Sequence, residues 1–365
     1  MNGWQLIEFY ADPAKFALQA QPTDWTLLIH TAREYGVLAS LLPKLQPLEF
    51  QHKAAVIRHA QSSVHFANKQ YLSLVRELLA LEPVFTDCGY PVLLVKGSAY
   101  RLAGFDYAKY RLFSDIDILV AKQHTEDALT RLRDFGYMEH VESDYERNYY
   151  IEWSHQYPPL KHFMRDAEID LHHTIFFAKS KVTIDIAAFI DRAQPIEDSV
   201  FSIPSKADMF IHACLHLFYQ EETQKLAKDL IDLHCLYLQI ENKNDIFQAA
   251  QLINKRAAVV YGLMIQSWLF QQKLSIDELN FIESYCSSGK LNQMRFILSA
   301  LLKPNALLQP FAEMVWLLRG HLIKMNIQTL SYHVVMRLVN QYQKNKRHTL
   351  AQQKIDAQTL PEDAR

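Results

Sequence analysis

Two aspartates separated by one isoleucine, Asp115 and Asp117, open an apolar run in Arg111-Leu-Phe-Ser-Asp-Ile-Asp-Ile-Leu-Val120. Read as a strand from Asp115 to Val120, the run alternates faces. The two acids then share one side, and Ile116 and Ile118 the other. Side-by-side carboxylates repel unless a cation sits between them. An oxygen-only pair suits Mg²⁺, a hard ion that takes few carboxylates and keeps several waters. Taken alone, such a pair is more often two solvated acids at a strand start. A third acid strengthens the case: in Glu168-Ile-Asp-Leu-His172, also read as a strand, Glu168, Asp170 and His172 share one face.

Upstream, Pro91-Val-Leu-Leu-Val95 is a short apolar run of buried-strand type. It ends at Lys96-Gly97-Ser98, and the pattern predicts a short helix over 98–103. A Gly-Ser turn between strand and helix lets backbone N–H groups approach a phosphate at the positive helix end. Lys96 offers the same ligand a point charge. Arg111 offers its planar fork, either to phosphate or to Asp115 or Asp117. Downstream, Lys161-His-Phe-Met164 and the strand 168–172 form a hairpin around Arg165-Asp166.

These motifs together resemble the DNA polymerase beta-like nucleotidyltransferase superfamily, and within it the bacterial uncharacterised nucleotidyltransferase family. Leu94-Val-Lys96-Gly97, the Arg111–Val120 segment with Ser114, Asp115 and Asp117, and Ile169-Asp170-Leu-His172 carry the likeness. It extends loosely over roughly residues 20–300. One departure stands out: Gly97 precedes Asp115 by 18 positions, more than the superfamily's usual gap.

The resemblance implies an α+β fold whose polymerase-beta-like core, a small mixed sheet with helices, is flanked by N-terminal helices and a C-terminal helical bundle. It implies transfer of a nucleoside monophosphate from an NTP to a hydroxyl acceptor, with release of pyrophosphate. Asp115, Asp117 and Asp170 would bind two Mg²⁺ ions and carry catalysis. Lys96, Gly97, Ser98 and Arg111 would hold the nucleotide, with the Ser98 hydroxyl on the phosphates. The acceptor stays open among small molecule, protein and RNA. The alternative is a nucleotide-binding or partner-binding module without turnover, or one half of a toxin–antitoxin pair.

Composition bounds these readings. The chain has 365 residues, 49% of them hydrophobic, and a net charge of −2 from 38 basic and 40 acidic side chains, so no global basic field recruits nucleic acid. The N-terminus lacks a secretory pattern, and no apolar run reaches spanning length. The four cysteines, Cys88, Cys214, Cys235 and Cys286, lack pair spacing. The expected setting is cytoplasmic, with no membrane partner.

Four regions are expected: a helical segment 1–85, the α/β core 86–203, a helical domain 204–342 and a polar tail 343–365, mobile or loosely attached. Helices are predicted near 24–34, 38–45 and 52–81. The last has an apolar stripe of Ala55, Val64, Phe66, Tyr71, Leu72, Val75 and Leu78 or Leu79, and Pro83 ends it. The aromatic segment 145–153 is read as a strand. Residues 125–135 have the early acids and late arginines of a helix stopped by Gly136. Ser205-Lys-Ala-Asp208 resembles a capping box, and the helix that follows is predicted to place Phe210, Ile211, Cys214, Leu215 and Phe218 inward; further helices are predicted over 229–238, 247–269, 274–285, 311–325 and 332–342. His212 and His216, four apart on a helix, have zinc spacing but read better as core or inter-domain histidines. Asp229 and Asp232 resemble a helical aspartate of the family with no assigned role.

Overall fold

The structure is a computed structural model that describes residues 3–332 and 336, without 114, 142, 304 and 306. Five helices come first: α1 (Gly3–Ala11), α2 (Pro13–Gln19), α3 (Pro22–Glu34), the single turn α4 (Leu42–Leu45) and the 33-residue α5 (Lys53–Phe85). Then β1 (Val92–Leu94), α6 (Lys96–Leu102), β2 (Ile116–Leu119), α7 (Thr125–Asp134), β3 (Tyr137–Glu139) and α8 (Asp144–Trp153) begin the α/β part. It is completed by β4 (Leu160–His162), β5 (Glu168–His172), α9 (Ile186–Asp191), β6 (Gln194–Pro195) and β7 (Phe201–Ile203). The helices that follow are α10 (Lys206–Tyr219), α11 (Leu226–Gln239), α12 (Asn244–Ala249), α13 (Ala257–Trp268), α14 (Ile276–Tyr285), α15 (Ser288–Leu302) and α16 (Leu308–Lys324).

The strands form one mixed sheet in the order β3-β4-β5-β2-β1-β7-β6. At its centre β2 runs parallel to β5 and antiparallel to β1. Leu94, Ile118 and Leu171 on these three strands are fully buried, as a central sheet covered by other elements requires. The fold class is α+β, as expected.

One buried apolar cluster extends from Leu6 in α1 to Trp316 in α16. The N-terminal segment does more than cap the sheet. Its α1 packs on α11, where the Tyr10 hydroxyl meets Cys235 Sγ at 3.3 Å, while Phe85 at the end of α5 meets Phe201 of β7. The first and last parts of the chain thus share a core around the sheet.

Several local expectations are corrected. Residues 145–153 lie in the helix α8, because Ser143 caps it, accepting from Glu146 N at 3.2 Å, and Asp144 and Glu146 occupy its positive first turn. Aromatic richness suggested a strand but carried no period of two. Helix α5 continues through Pro83 to Phe85. A proline so near the end forfeits only the bond to the carbonyl of Leu79, a residue that is itself exposed. The buried line of α5 includes Val56, Ala60, Ala67, Leu74, Leu78 and Leu81, whereas Phe66, Leu72 and Leu79 are exposed. Residues 247–269 are not one helix, since the chain breaks between α12 and α13 around Ile253. The predicted helix beyond Tyr332 and the polar tail 343–365 lie outside the described residues, residue 336 apart.

Candidate active site

Alternation along each strand assigns Asp117 and Asp170 to faces; the sheet register sets them side by side. In the β2–β5 pair Asp117 stands opposite Asp170, and Leu119 opposite His172. Both carboxylates are buried, at 3% and 8% exposure. Ligand atoms of Asp117, Asp170 and His172 lie within 4.8 Å of one another, the one such metal-competent group among the described residues. Asp115 sits at the bend just before β2. Its charge acts on Asp170 and Lys96, but it is not a member of that group.

Asp117 is held from two sides. Lys96 Nζ donates to its Oδ1 at 2.6 Å, and His172 Nε2 lies 2.9 Å from the same oxygen. Burial, then the Lys96 charge, holds His172 well below the usual imidazole range, so the ring is neutral. A carboxylate paired with an ammonium only accepts, which places the imidazole proton on Nε2, pointing at Asp117. His172 is therefore a donor in this arrangement, and an oxygen-only set is left for a cation. Burial works against the Lys96 charge, but Asp117 more than offsets it and raises the lysine's pKa.

Asp170 is tuned the other way. Burial, then the neighbouring Asp117 charge, pushes its carboxyl up to about 7, and its Oδ1 meets no donor. A buried carboxylate oxygen without a donor, beside a second acid, is an environment that a divalent cation relieves. The residues present thus fit the Mg²⁺ reading. Glu168, on the same strand, pairs with Lys161 at 3.3 Å.

The turn before the site departs from expectation. Helix α6 already begins at Lys96, whose φ of +52° is a left-handed conformation that side chains rarely adopt. Strain of this kind persists where the surroundings enforce it, and it clusters at functional sites. The Ser98 hydroxyl, expected on phosphate, is fully buried and donates to Val95 O at 2.9 Å. A phosphate contact at this turn therefore falls to backbone N–H groups and to Lys96.

Arg111 makes its ion pair with Asp232 of α11, Nε to Oδ2 at 2.8 Å. Lys228 donates to the same Asp232 oxygen at 2.8 Å. The Arg111 guanidinium covers Gly97: a Cβ there would lie 2.3 Å from Nη1 and 3.0 Å from Phe113 Cβ. Close approach is why glycine is needed. With Arg111 pinned by Asp232, Gly97→Ala is expected to cost about 1–3 kcal/mol through overpacking, read as a lowered urea midpoint. An unchanged midpoint would show that the fork moves aside freely.

Sequence reasoning missed what surrounds His172. His155, His212 and His216 gather behind it, with ring centroids 5.0 Å apart for His155–His172, 5.3 Å for His155–His216 and 4.6 Å for His212–His216. Burial holds all three well below the usual imidazole range. The spacing of His212 and His216 was the visible signal. Nothing local tied them to His172, because only the fold brings α10 and the segment around His155 to that strand.

A mixed sheet that sets two buried acids side by side, beside a strained lysine turn, makes this an α+β protein of nucleotidyltransferase-like core. The chain belongs to the family described as uncharacterised nucleotidyltransferase, whose model matches residues 21–271. That description points to nucleotidyl transfer, and the Asp117–Asp170–His172 cluster is compatible with it. No curated protein matches. Among solved structures, the crystal structure of JHP933 from Helicobacter pylori is similar at 13% identity, over 74% of this chain and 98% of its own, with a TM-score of 0.32. Among the described residues no helix is long and apolar enough to cross a membrane.

Proposed function

We propose that the protein transfers a nucleoside monophosphate from an NTP to a hydroxyl acceptor and releases pyrophosphate. The observation that carries this reading is the pairing of buried Asp117 and Asp170 across β2 and β5. Asp115, Asp117 and Asp170 would hold two Mg²⁺ ions, which when bound supply charge to the α-phosphate and to the departing pyrophosphate. Lys96, Arg111 and the backbone at Gly97 and Ser98 would bind the triphosphate. His172 keeps Asp117 in one orientation. In the transfer the acceptor oxygen bonds to the α-phosphorus and the bond from that phosphorus to the β-phosphate bridge breaks. Asp170 would also help to deprotonate the acceptor, whose proton passes on to solvent.

The test is pyrophosphate release from each of the four NTPs with Mg²⁺, across acceptor panels of small hydroxyl compounds, proteins and RNA. Release that depends on Asp117 supports the proposal. Lys96 on Asp117 favours a second reading, a nucleotide-binding module in which an ammonium permanently takes a cation's place. Tight NTP binding without release on any panel would establish that one.

A pH dependence follows from Asp170. Its folded pKa of about 7 lies above the unfolded value near 3.9, so the metal-free protein favours the protonated acid. This group's contribution to stability is full below about pH 4 and is lost as pH rises through about 7. A cation needs the ionised form, so Mg²⁺ affinity is expected to rise with pH up to about 7 and then level off, with proton release on binding below that point. Titration calorimetry in buffers of different ionisation heat measures both. Affinity flat between pH 5 and 8 would remove Asp170 from the metal site.

A further inference from the structure

A cavity of about 370 Å³ opens between the α12–α13 connection, the C-terminal ends of α10 and α14, and α16. Its wall carries Lys255, Arg256 and Arg319 with Tyr219, Tyr261 and Tyr285, and among the described residues no carboxylate lines it. None of the three cations makes an ion pair among the described residues. Of the three, Lys255 is exposed and Arg319 is the one that burial works against, so an anion in the cavity would answer Arg319 first with the other two cations beside it.

The fold holds the cations and the rim that carries them. The Arg319 guanidinium lies 5.7 Å from the ring centres of Tyr219 and Tyr261 and 5.2 Å from that of Trp316, and its Nη1 meets no acceptor. Aromatic faces stabilise a cation but do not satisfy its N–H groups. Burial also depresses its pKa, the mark of a charge that lacks an anion. Arg256 is fixed by Nε to Ala250 O at 3.1 Å and Nη1 to the Tyr285 hydroxyl at 3.2 Å, with its fork 5.1 Å from the Tyr285 ring centre. It also stands at the start of the 12-residue α13, so the positive helix end adds to the same field. The Tyr219 hydroxyl bonds Lys255 O and Ala258 N, which ties the rim carrying Lys255 to α10.

We propose that this cavity binds a free nucleoside monophosphate, its phosphate on Arg256, Arg319 and Lys255 and its base against the half-exposed Tyr285 ring. The volume lies at the small end of ligand pockets, which suits one nucleotide. Guanidinium groups match phosphate oxygens, and a tyrosine ring with 43% of its residue exposed offers a base an aromatic edge and surface to pack on. The cavity is separate from the acids: Tyr219 stands one turn beyond His216 on α10, and no side chain of the Asp117 cluster lines it. The proposal does not depend on nucleotidyl transfer.

The experiment is calorimetric titration of AMP, UMP, the matching nucleosides and inorganic phosphate into the full chain in EDTA. Both monophosphates are expected to bind, phosphate more weakly and the nucleosides not at all. Lys255→Glu, at an exposed position that the fold does not need, is expected to weaken AMP about tenfold or more, and Arg319→Gln to abolish it. Asp117→Asn should leave AMP binding as it is in wild type, which separates this site from the acid cluster. No binding by wild type, or binding that survives Lys255→Glu unaltered, would overturn the proposal. So would tighter binding of a 5′-phosphorylated oligonucleotide than of the mononucleotide, which would make the ligand a nucleic-acid end.

Discussion

Asp117→Asn is expected to lower nucleotidyl transfer at least about a hundredfold while leaving the protein folded. The amide keeps the size of the carboxylate, and its oxygen still accepts from Lys96 and His172, so β2 stays in register with β5. What is lost is the negative charge that a metal ion needs. The comparison with His172→Gln separates ligand from support. His172 donates to Asp117 and binds no reacting atom, so its loss should act through metal affinity, by about 10–100-fold, with activity recovered at high Mg²⁺. Steady-state pyrophosphate release at varied Mg²⁺ distinguishes the two. If His172→Gln is as damaging as Asp117→Asn and excess Mg²⁺ does not restore it, the imidazole is itself a ligand.

The largest effect on stability is expected at Asp232. Its carboxylate receives both Arg111 and Lys228, and all three side chains are largely buried. Removing the charge leaves Arg111 without its paired acid and Lys228 with only Asp229, 3.9 Å away, so Asp232→Asn should cost about 3–5 kcal/mol in urea unfolding. Burial alone would raise the Asp232 pKa, but Arg111 and Lys228 overcome it, and the folded value lies below the usual range. The sign is then that of a depressed acid: its stabilisation is present above about pH 4 and disappears as pH falls through the folded value. Wild type should lose stability below about pH 4 more steeply than Asp232→Asn. Adding Arg111→Gln to Asp232→Asn should recover part of the loss, because one stranded charge goes with it. A cost below about 1 kcal/mol for the single substitution would mean that water reaches the pair, as at surface ion pairs.

The same ion pair shows where sequence stopped being legible. Asp117 and Asp170 could be read on their strands because a strand's period of two is written locally and the acids interrupt apolar runs at that period, whereas Asp115, read as the first strand residue, lies at the bend before β2. That Asp117 and Asp170 are neighbours is a fact of register, and the β2–β5 pairing is set by burial of Ile116, Ile118, Ile169 and Leu171 across the sheet. Arg111 was recognised as a site-side cation, yet its partner lies 121 residues away on α11, and no local pattern couples the two. The Ser98 hydroxyl looked available because a turn was expected there, whereas the chain enters α6 one residue after Val95 and the hydroxyl turns back to that carbonyl. In the 145–153 segment the cap at Ser143 decided for helix over an aromatic composition that favoured strand. Local signals thus picked out the acids that β2 and β5 bring together, and non-local packing decided which groups are held, buried or left without a partner.

That Asp117 and Asp170 form a cation-dependent nucleotide site is tested most directly by calorimetric titration. Each of the four NTPs, with Mg²⁺ and with EDTA, is titrated into wild type and Asp117→Asn. At least one NTP is expected to bind wild type only with Mg²⁺ and to bind the variant at least about tenfold more weakly. Equal binding by both proteins, or binding indifferent to Mg²⁺, would contradict a metal site at these two acids.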